Sequence, residues 1–450
     1  MICSLKNVSS LLSYLILVSC SSQKQLGRTF QQQVMRDENL SNAHIGIMVV
    51  DTRTQKPIFQ YQHDKFFVPA SNTKIFTCYA GMKFLGDSIT GIEYSENDTA
   101  IFLMPTGDPT LLHGDFKTQP VVDFLRSATK PLYITDVNWN DRPLGSGWSW
   151  DDYSSYYMAE RSPLPVYGNV IRWIQEKDTS NIPASDTEIE PQVFTYSVPD
   201  VNWKVRFNAE TGRRNFSVSR SRHDNEFTIT QGEEKSKIVE VPFVTHGLQS
   251  ALELLPDAID KPVVQLEKSQ ARFENIRTIY SRPTDSVLIP MMHRSDNFFA
   301  EQVLLMVANE RYGQMNDNII IDSLLNNELK DLPQRPRWAD GSGLSRFNLF
   351  TPADFVAILA KMKDEFGMDR VRSVFATGGE GTLLNFYKSD SSFIYAKTGT
   401  LSGVVALSGF LYTRKNKLLT FSVLVNNHRG NAVAIRRQVE SFLSGLRNKY

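Results

Sequence analysis

The sequence predicts an α+β fold in which one antiparallel β-sheet carries helices on both faces and is interrupted by a large, mainly β insertion. Alternating apolar residues at 45–51 and 58–62, with a polar turn between them, predict a β-hairpin near the start of the chain. Residues 403–413 and 418–427 predict a second hairpin, and the apolar spacing at 432–446 predicts a closing helix. Strands at both termini indicate a single sheet built from both ends of the sequence.

The middle of the chain has a different pattern. From about residue 88 to about residue 280, short apolar runs such as KVRFNAE, NFSVSR and EFTITQG alternate with polar turns, which is typical of β structure. Helical patterning returns at 284–309, and a short amphipathic helix is predicted at 26–40. We therefore expect one domain formed by 21–87 and 281–450, interrupted by an inserted region at 88–280 that contains two nested small domains.

The first 20 residues have the pattern of a signal peptide. Lys6 precedes an apolar run that is too short to span a bilayer, and the run ends in LVSC at Cys20. LVSC is similar to a bacterial lipobox, so we expect Cys20 to be lipidated and to become the mature N-terminus, with the polar SSQKQ behind it as a tether. Ordinary secretion with an unrelated cysteine is the alternative. Cys78 would then be the one cysteine of the mature chain, and we interpret it as a small core residue.

Composition excludes several classes of function. The 450 residues contain 49 basic and 49 acidic side chains, so net charge gives no reason to expect a nucleic acid or an anionic membrane surface as partner. The seven histidines have no paired metal-ligand spacing, and no glycine-rich phosphate loop is present. No segment after residue 20 is apolar enough to span a bilayer. We expect neither a metal nor a cofactor, and membrane contact through the lipid anchor only.

A serine and a lysine at the start of a predicted helix suggest catalysis. Ser71 and Lys74 are three residues apart, so both side chains lie on one helical face. A serine hydroxyl is a weak nucleophile, and a lysine beside it can accept its proton. The same spacing occurs at 21–24, in the tether, and at 127–130, before a proline and a strand. Only Ser71 precedes a long apolar helix.

Two further motifs follow in order. Ser295-Asp296-Asn297 precedes a predicted helix, where Ser295 on its own would be interpreted as a helix cap. A similar SEN at 95–97 is predicted to lie in a polar turn. The strand-borne AKTGT at 396–400 combines a lysine, two hydroxyls and a glycine near the chain's end, although a lone KTG is more often an edge-strand turn.

The ordered set SxxK, SDN and KTGT resembles the signature of penicillin-binding proteins and serine β-lactamases. Further stretches join it: TGDPTLL at 106–112, GWSWDD at 147–152, ADGSGLSRFNLFTP at 339–352 and GGEGTLLNF at 378–386. Together they resemble the class C low-molecular-mass penicillin-binding proteins, the D-alanyl-D-alanine carboxypeptidase/endopeptidase group of the penicillin-binding protein 4 type. The resemblance runs from about residue 40 to about residue 445 and is thin between about 170 and 240. It implies a transpeptidase/β-lactamase-like catalytic domain.

The resemblance implies a role for each motif residue. Ser71 would attack the penultimate D-Ala carbonyl of a peptidoglycan stem peptide, and Lys74 would accept its proton. Ser295, polarised by Lys397, would relay a proton to the leaving amine, and Asp296 would do no more than orient the loop. Asn297 would hydrogen-bond the substrate peptide. The backbone N–H groups of Ser71 and Thr400 would form the oxyanion hole. The terminal carboxylate would be bound by Thr398 and Thr400, and Gly399 is the third substrate-binding residue of this motif.

The family also binds the diaminopimelate side chain of the stem, which carries an ammonium and a carboxylate. Asp152, Tyr157 and Arg346 are the acid, the aromatic wall and the base that the resemblance implies for that subsite. In the alternative interpretation, Asp152 caps a turn and Arg346 is a solvated cation in a loop. Ser402 is a departure, because some members carry a longer amide there.

Two other functions remain open at this point. One is a serine β-lactamase or esterase of the same fold; the absence of an ExxLN-like glutamate after SDN argues against rapid β-lactam hydrolysis. The other is a non-catalytic cell-wall-binding lipoprotein. We expect a lipid-anchored enzyme of the cell envelope or periplasm, with stem peptides as substrates and β-lactams as covalent inhibitors.

Overall fold

The computed structural model describes residues 38, 40–178, 192–208, 215–270 and 272–450. The predicted signal peptide, Cys20, the tether and nearly all of the predicted helix at 26–40 lie outside the described residues. The chain divides into two compact units. The sheet unit contains the described residues up to Tyr79, Ile289–Ser295 and Ser323–Tyr450, and the inserted unit contains Ala80–Leu288 and Asp296–Asp322. The predicted domain boundaries at 87/88 and 280/281 stay a prediction.

The described secondary structure has the following bounds. The strands are β1 His44–Asp51, β2 Pro57–Tyr61, β3 Ser88–Glu96, β4 Ile101–Pro105, β5 Leu132–Ile134, β6 Val170–Asp178, β7 Gln192–Val198, β8 Lys204–Phe207, β9 Ser217–Arg220, β10 Glu226–Thr230, β11 Ser236–Pro242, β12 Val263–Gln265, β13 Arg277–Pro283, β14 Ala376–Thr377, β15 Ile394–Leu401, β16 Val404–Tyr412 and β17 Leu418–Asn426. The helices are α1 Lys74–Phe84, α2 Pro120–Ser127, α3 Gln249–Ile259, α4 Asp285–His293, α5 Asn297–Tyr312, α6 Asp317–Asn326, α7 Pro352–Val374 and α8 Ala432–Lys449.

The sheet unit is built on one antiparallel sheet with the strand order β14-β15-β16-β17-β1-β2. Both predicted hairpins are present, as β1–β2 and β16–β17. The two hairpins are joined because β1 pairs with β17, from His44 opposite Asn426 to Asp51 opposite Leu419. The prediction of one sheet made from both ends of the chain is confirmed.

Strand alternation gives this sheet two buried faces. Ile47 on β1 faces the core cluster that contains Phe442 of α8. The neighbouring Gly46 points the other way, and a β-carbon there would lie 2.4 Å from the ring of Phe67 and 2.8 Å from Pro352 at the start of α7. The sheet therefore carries α8 on one face and α7 on the other, as predicted.

The described strands of the inserted unit form three smaller sheets. Five strands form the order β12-β5-β4-β3-β13, and two three-stranded sheets have the orders β8-β10-β9 and β11-β6-β7. The predicted strands KVRFNAE, NFSVSR and EFTITQG correspond to β8, β9 and β10 of one sheet. Helices α2 and α3, which were not predicted, pack Leu125 and Leu255 into the core of this unit beside Leu103 of β4. The insertion is mainly β among its described residues.

Local predictions have mixed outcomes. The helical patterning at 284–309 forms two helices, α4 and α5, separated at residues 294–296. Cys78 is fully buried in α1, as predicted. The turn predicted at 95–97 is wrong for its first two residues, because Ser95 is buried and ends β3 with Glu96. Ser127 ends α2 and does not open a helix. Among the described helices, none combines the length and the apolar character needed to cross a bilayer.

Candidate active site

Ser71 lies in a 3₁₀ turn, Ala70–Thr73, that leads directly into α1 at Lys74. The three-residue spacing brings the two side chains together: Lys74 Nζ donates to Ser71 Oγ at 3.0 Å. Lys74 is fully buried and also donates to the carbonyl oxygen of Ser342 at 2.7 Å. Ser71 is half-buried. The structure therefore places the predicted nucleophile within hydrogen-bond reach of the predicted base.

The loop that carries Ser342 is fixed by a buried carboxylate that sequence analysis did not single out. Asp340 accepts from the backbone N–H of Gly343 at 2.8 Å and of Ser345 at 2.6 Å. Gly343 has φ +82°, and a β-carbon there would lie 1.9 Å from the carbonyl oxygen of Ala70. Only glycine permits both this backbone conformation and this approach. The DGSG sequence at 340–343 thus supports the turn that carries Ser71.

Ser295 and Lys397 form a second hydroxyl–amine pair. Lys397 Nζ donates to Ser295 Oγ at 2.8 Å and to the carbonyl oxygen of Thr398 at 2.9 Å. Ser295 is not the cap of α5, because the Asp296 side chain accepts from the backbone N–H of Phe299 at 3.0 Å. Capping by Asp296 leaves the serine hydroxyl facing the lysine. That Asp296 caps the helix while Ser295 contacts Lys397 was not predicted.

The pKa of Lys397 is perturbed by burial. Its side chain is fully buried in β15. Burial lowers the pKa of Lys397 well below its usual range, and the positive charges of Lys74 and Arg436 lower it further. Strongly perturbed lysines of this kind are characteristic of functional sites.

Strand β15 lies against the turn that carries the nucleophile. A β-carbon on Gly399 would lie 2.7 Å from the carbonyl oxygen of Pro69 and 3.1 Å from the backbone nitrogen of Ser71. The buried amide of Asn72 joins the same two elements: in the orientation that satisfies its neighbours, Nδ2 donates to Lys397 O at 2.7 Å and Oδ1 accepts from Ser408 Oγ at 2.8 Å. The glycine of KTG and the asparagine of SNTK therefore hold SxxK and KTGT together.

The outer residues of KTGT contact two side chains that sequence analysis missed. Thr398 Oγ1 donates to Thr382 Oγ1 at 2.7 Å. Thr400 is exposed and accepts a hydrogen bond from Arg436 Nη2 at the start of α8. Burial lowers the pKa of Arg436, which is half-buried. No sequence motif pointed to Arg436, because α8 is distant in sequence and is amphipathic throughout.

Three other predicted site residues lie in the inserted unit. Asn297 Nδ2 donates to the carbonyl oxygen of Tyr157 at 2.9 Å. Burial and a hydrogen bond with the Asp152 carboxylate raise the pKa of the Tyr157 hydroxyl. Asp152 is half-buried, whereas the preceding Asp151 is exposed and Tyr156 is 65% exposed. Asn297, Asp152 and Tyr157 thus form a connected set.

Arg346 belongs to the sheet unit. It is exposed, and its Nη2 donates to the carbonyl oxygen of Ser402 at 2.8 Å. The predicted site residues are therefore divided: the sheet unit contains Ser71, Lys74, Ser295, Arg346, Lys397, Thr398, Gly399 and Thr400, and the inserted unit contains Asn297, Asp152 and Tyr157. Over the described part of the chain, His, Cys, Asp and Glu side chains form no group of three or more that could hold a metal ion.

Known proteins match nearly the whole chain. The model of the D-Ala-D-Ala carboxypeptidase 3 (S13) family matches residues 30–446. A D-alanyl-D-alanine carboxypeptidase of Actinomadura sp. (strain R39) is 25% identical over 441 residues, covering 89% of this chain and 80% of that protein. The carboxypeptidase DacB of Haemophilus influenzae is 22% identical over 447 residues, covering 91% of this chain and 90% of that protein. The crystal structure of penicillin binding protein 4 (dacB) from Haemophilus influenzae superposes with a TM-score of 0.70 at 19% identity, covering 93% of this chain and 98% of that chain.

Proposed function

Because the chain belongs to the D-Ala-D-Ala carboxypeptidase 3 (S13) family, and is thereby a serine-type peptidoglycan carboxypeptidase, we propose that its acyl-enzyme forms at Ser71. The observation that carries the proposal is the 3.0 Å contact between Lys74 Nζ and Ser71 Oγ. A second amine–hydroxyl pair, Lys397 with Ser295, supports it.

In the first step Ser71 Oγ attacks the penultimate D-Ala carbonyl of a stem peptide while Lys74 Nζ takes its proton. This step requires Lys74 in its neutral form, whose lone pair can accept the proton. The hydrogen bond to Ser342 O holds the amine in place beside the hydroxyl. The carbonyl oxygen becomes an oxyanion, which the backbone N–H groups of Ser71 and Thr400 stabilise; one such donor is worth ~3 kcal/mol in other enzymes.

The third motif receives the end of the substrate. Thr398 and Thr400 hydroxyls bind the terminal carboxylate, with the charge of Arg436 behind Thr400. Ser295 relays a proton to the leaving D-Ala amine, with Lys397 as the group that polarises the hydroxyl. The proton that Lys74 took from Ser71 replaces the one that Ser295 donates, which leaves Lys74 neutral again. Water then attacks the ester and releases the shortened stem. The same two steps cut a D-Ala cross-link when the leaving amine belongs to another stem.

β-Lactams fit this mechanism as covalent inhibitors. They would acylate Ser71 through the same attack, and an ExxLN glutamate of the kind used for rapid deacylation does not occur in the sequence after SDN. A solved relative, penicillin binding protein 4 from Haemophilus influenzae, is known in complex with a β-lactam; it has 18% identity and a TM-score of 0.66 to this chain. We propose slow turnover of β-lactams by this enzyme.

The acylation experiment tests the proposal. Intact-mass spectrometry with benzylpenicillin should give one covalent adduct on the wild type and none on Ser71→Ala. The matched control is Ser127→Ala, which removes the serine of the other SxxK in the described chain, at 127–130. Lys74→Ala should fold but acylate at least 100-fold more slowly, because general-base catalysis is worth roughly 10²–10⁴.

The outcomes separate the candidate functions. A stable adduct supports the carboxypeptidase, and rapid loss of the adduct would indicate a β-lactamase. An adduct that persists in Ser71→Ala, or none on the wild type, would overturn the assignment of Ser71.

For the stem side chain we propose, from the family resemblance, that Asp152 and Tyr157 of the inserted unit and Arg346 of the sheet unit each contribute to recognition of diaminopimelate. Asp152→Ala should lower kcat/KM for diaminopimelate stems by about tenfold, the loss of one charge-assisted contact. Since Asp152 is engaged with Tyr157 and Asp151 is exposed, Asp151→Ala is the control that assigns the acid. Arg346→Ala should slow diaminopimelate stems more than lysine stems. An equal effect on both would make Arg346 structural.

We also propose that the enzyme is a lipoprotein of the cell envelope, attached through Cys20. The LVSC sequence and the polar tether support this. In a bacterial host, the wild type should partition into detergent and Cys20→Ala should not. Equal partitioning would contradict the anchor, whereas activity on soluble peptides should be the same in both.

A further inference from the structure

A cavity in the inserted unit contains none of the residues assigned to catalysis or to the stem peptide. Its volume is about 340 Å³, which is within the range of small-molecule sites. Trp139 and Tyr153 contribute aromatic wall, Glu160 and Arg220 lie deeper, and Arg222 and His246 are exposed at the rim.

The deep part of the cavity is held rigidly. Arg220 is 4% exposed, and its guanidinium donates to the carbonyl oxygens of Pro242 and Ser221, both at 2.7 Å. The Arg220 guanidinium also lies 5.4 Å from the centre of the Tyr153 ring, and the Tyr153 hydroxyl donates to Arg220 O at 3.1 Å. The aromatic wall therefore has a fixed position before any ligand arrives.

Glu160 presents an unused acceptor. Its side chain is 8% exposed, and Oε2 accepts from the backbone N–H of Thr245 at 2.8 Å and from the Thr245 hydroxyl at 2.9 Å. Within the described residues, Oε1 accepts no hydrogen bond. Oε1 therefore keeps its capacity to accept, and a ligand that offers hydroxyl groups can donate to it.

The rim carries a positive charge. Arg222 is exposed, and its guanidinium is held 5.1 Å from the centre of the Trp150 ring. The deep part contains the Arg220 guanidinium as well as the Glu160 carboxylate. A simple anion would leave the Glu160 acceptor unused, and a simple cation would meet Arg222 at the entrance. A pyranose fits both ends, because its apolar face stacks on an aromatic ring, its hydroxyls donate to Glu160, and an acidic substituent reaches Arg222.

We propose that this cavity binds a carboxylate-bearing pyranose of the glycan strand, such as a muramic acid unit from which the stem peptide has been removed. The identification of the ligand as part of a glycan strand rests on the proposed peptidoglycan function. The preference for an acidic pyranose rests on the residues of the cavity alone. Binding here would hold the enzyme on glycan strands that already have lost some stems.

Direct binding tests the proposal. Calorimetric titration of the intact protein with a peptide-free disaccharide of N-acetylglucosamine and muramic acid should show saturable binding. Di-N-acetylchitobiose, which lacks the carboxylate, should bind about tenfold more weakly. Arg222→Ala should reduce the affinity for the acidic sugar about tenfold and remove this preference. Glu160→Gln, which keeps the shape of the side chain, should weaken both sugars.

The matched control is Arg172→Ala, which removes another exposed arginine of the inserted unit, paired with Glu240 at 3.6 Å. It should bind like the wild type. Absence of saturable binding by the acidic disaccharide, or binding that neither Arg222→Ala nor Glu160→Gln weakens, would overturn the proposal. Penicillin acylation and hydrolysis of a sugar-free pentapeptide, measured on the same variants, report on the proposed function separately and should not change in Arg222→Ala.

Discussion

Replacing Gly399 by alanine should push strand β15 away from the turn that carries the nucleophile Ser71. The added β-carbon would lie 2.7 Å from Pro69 O and 3.1 Å from Ser71 N, while ordinary contact begins at 3.4 Å. The oxygen belongs to the backbone, so no flexible side chain can move aside. Strand and turn would have to separate by about 0.7 Å, the difference between 2.7 Å and 3.4 Å.

That displacement affects the reaction through geometry. A 1 Å misplacement at a reacting centre can cost roughly 100-fold, so Gly399→Ala should lower the second-order rate of penicillin acylation by about 10- to 100-fold. Overpacking of this kind costs about 1–3 kcal/mol of stability, and the protein should remain folded. Stopped-flow acylation with a fluorescent penicillin gives the rate, and urea unfolding gives the stability.

Gly445→Ala is the matched control, because a β-carbon there would meet nothing within 4 Å. It lies inside α8, where alanine should stabilise by about 0.5–1 kcal/mol without affecting acylation. If folded Gly399→Ala acylates at the wild-type rate, the close approach of β15 is not what positions Ser71, and the reasoning is refuted.

Three further predictions follow from the same unit. The pKa of Lys397 is lower in the folded state than in the unfolded state. Its charged form therefore destabilises the folded protein most at pH values below the folded-state pKa. This destabilisation decreases as the pH rises towards the unfolded-state pKa of about 10.4. Lys397→Met should therefore acylate poorly yet resist urea better than the wild type at pH 7, with the advantage shrinking by pH 9.5; a constant or growing advantage would contradict this. Asn72→Ala should cost about 2 kcal/mol in urea unfolding, since Ser408 and a backbone carbonyl lose a buried partner; a change below about 0.5 kcal/mol would be evidence against the bridge. Arg436→Gln should raise KM about tenfold for peptides with a free C-terminal carboxylate and little for their amides; equal effects would remove Arg436 from carboxylate binding.

Regular elements with clear periodicity could be predicted from the sequence. The predicted positions are correct for the hairpins β1–β2 and β16–β17 and for helix α8. Lys397 also lies in a strand, as predicted. Each depends on local alternation or helical spacing that one stretch of chain contains by itself. The predicted contact of Ser71 with Lys74 is similar, because one turn of helix determines it.

Contacts decided by distant segments could not be predicted. Nothing local distinguishes Ser295 from Asp296 as the cap of α5, and the lysine that contacts Ser295 lies about 100 positions later. Asn72 lies inside SxxK, but its amide has a role only because β15 and β16 pass beside it. The same holds for Arg436, whose helix reaches Thr400 only in the folded chain.

The pairing of β1 with β17 has a consequence for how the protein is made. His44 and Asn426 are neighbours in the sheet although nearly the whole chain separates them. Such long-range pairing is slow, because a very large loop must close before the contacts stabilise anything. During synthesis, the hairpin β1–β2 keeps an unpaired edge until β17 has been synthesised. By that point the residues of the inserted unit have already been synthesised. A ribosome that stops before β17 would therefore release a chain with an exposed strand edge, prone to aggregation and without a finished sheet to support Ser71.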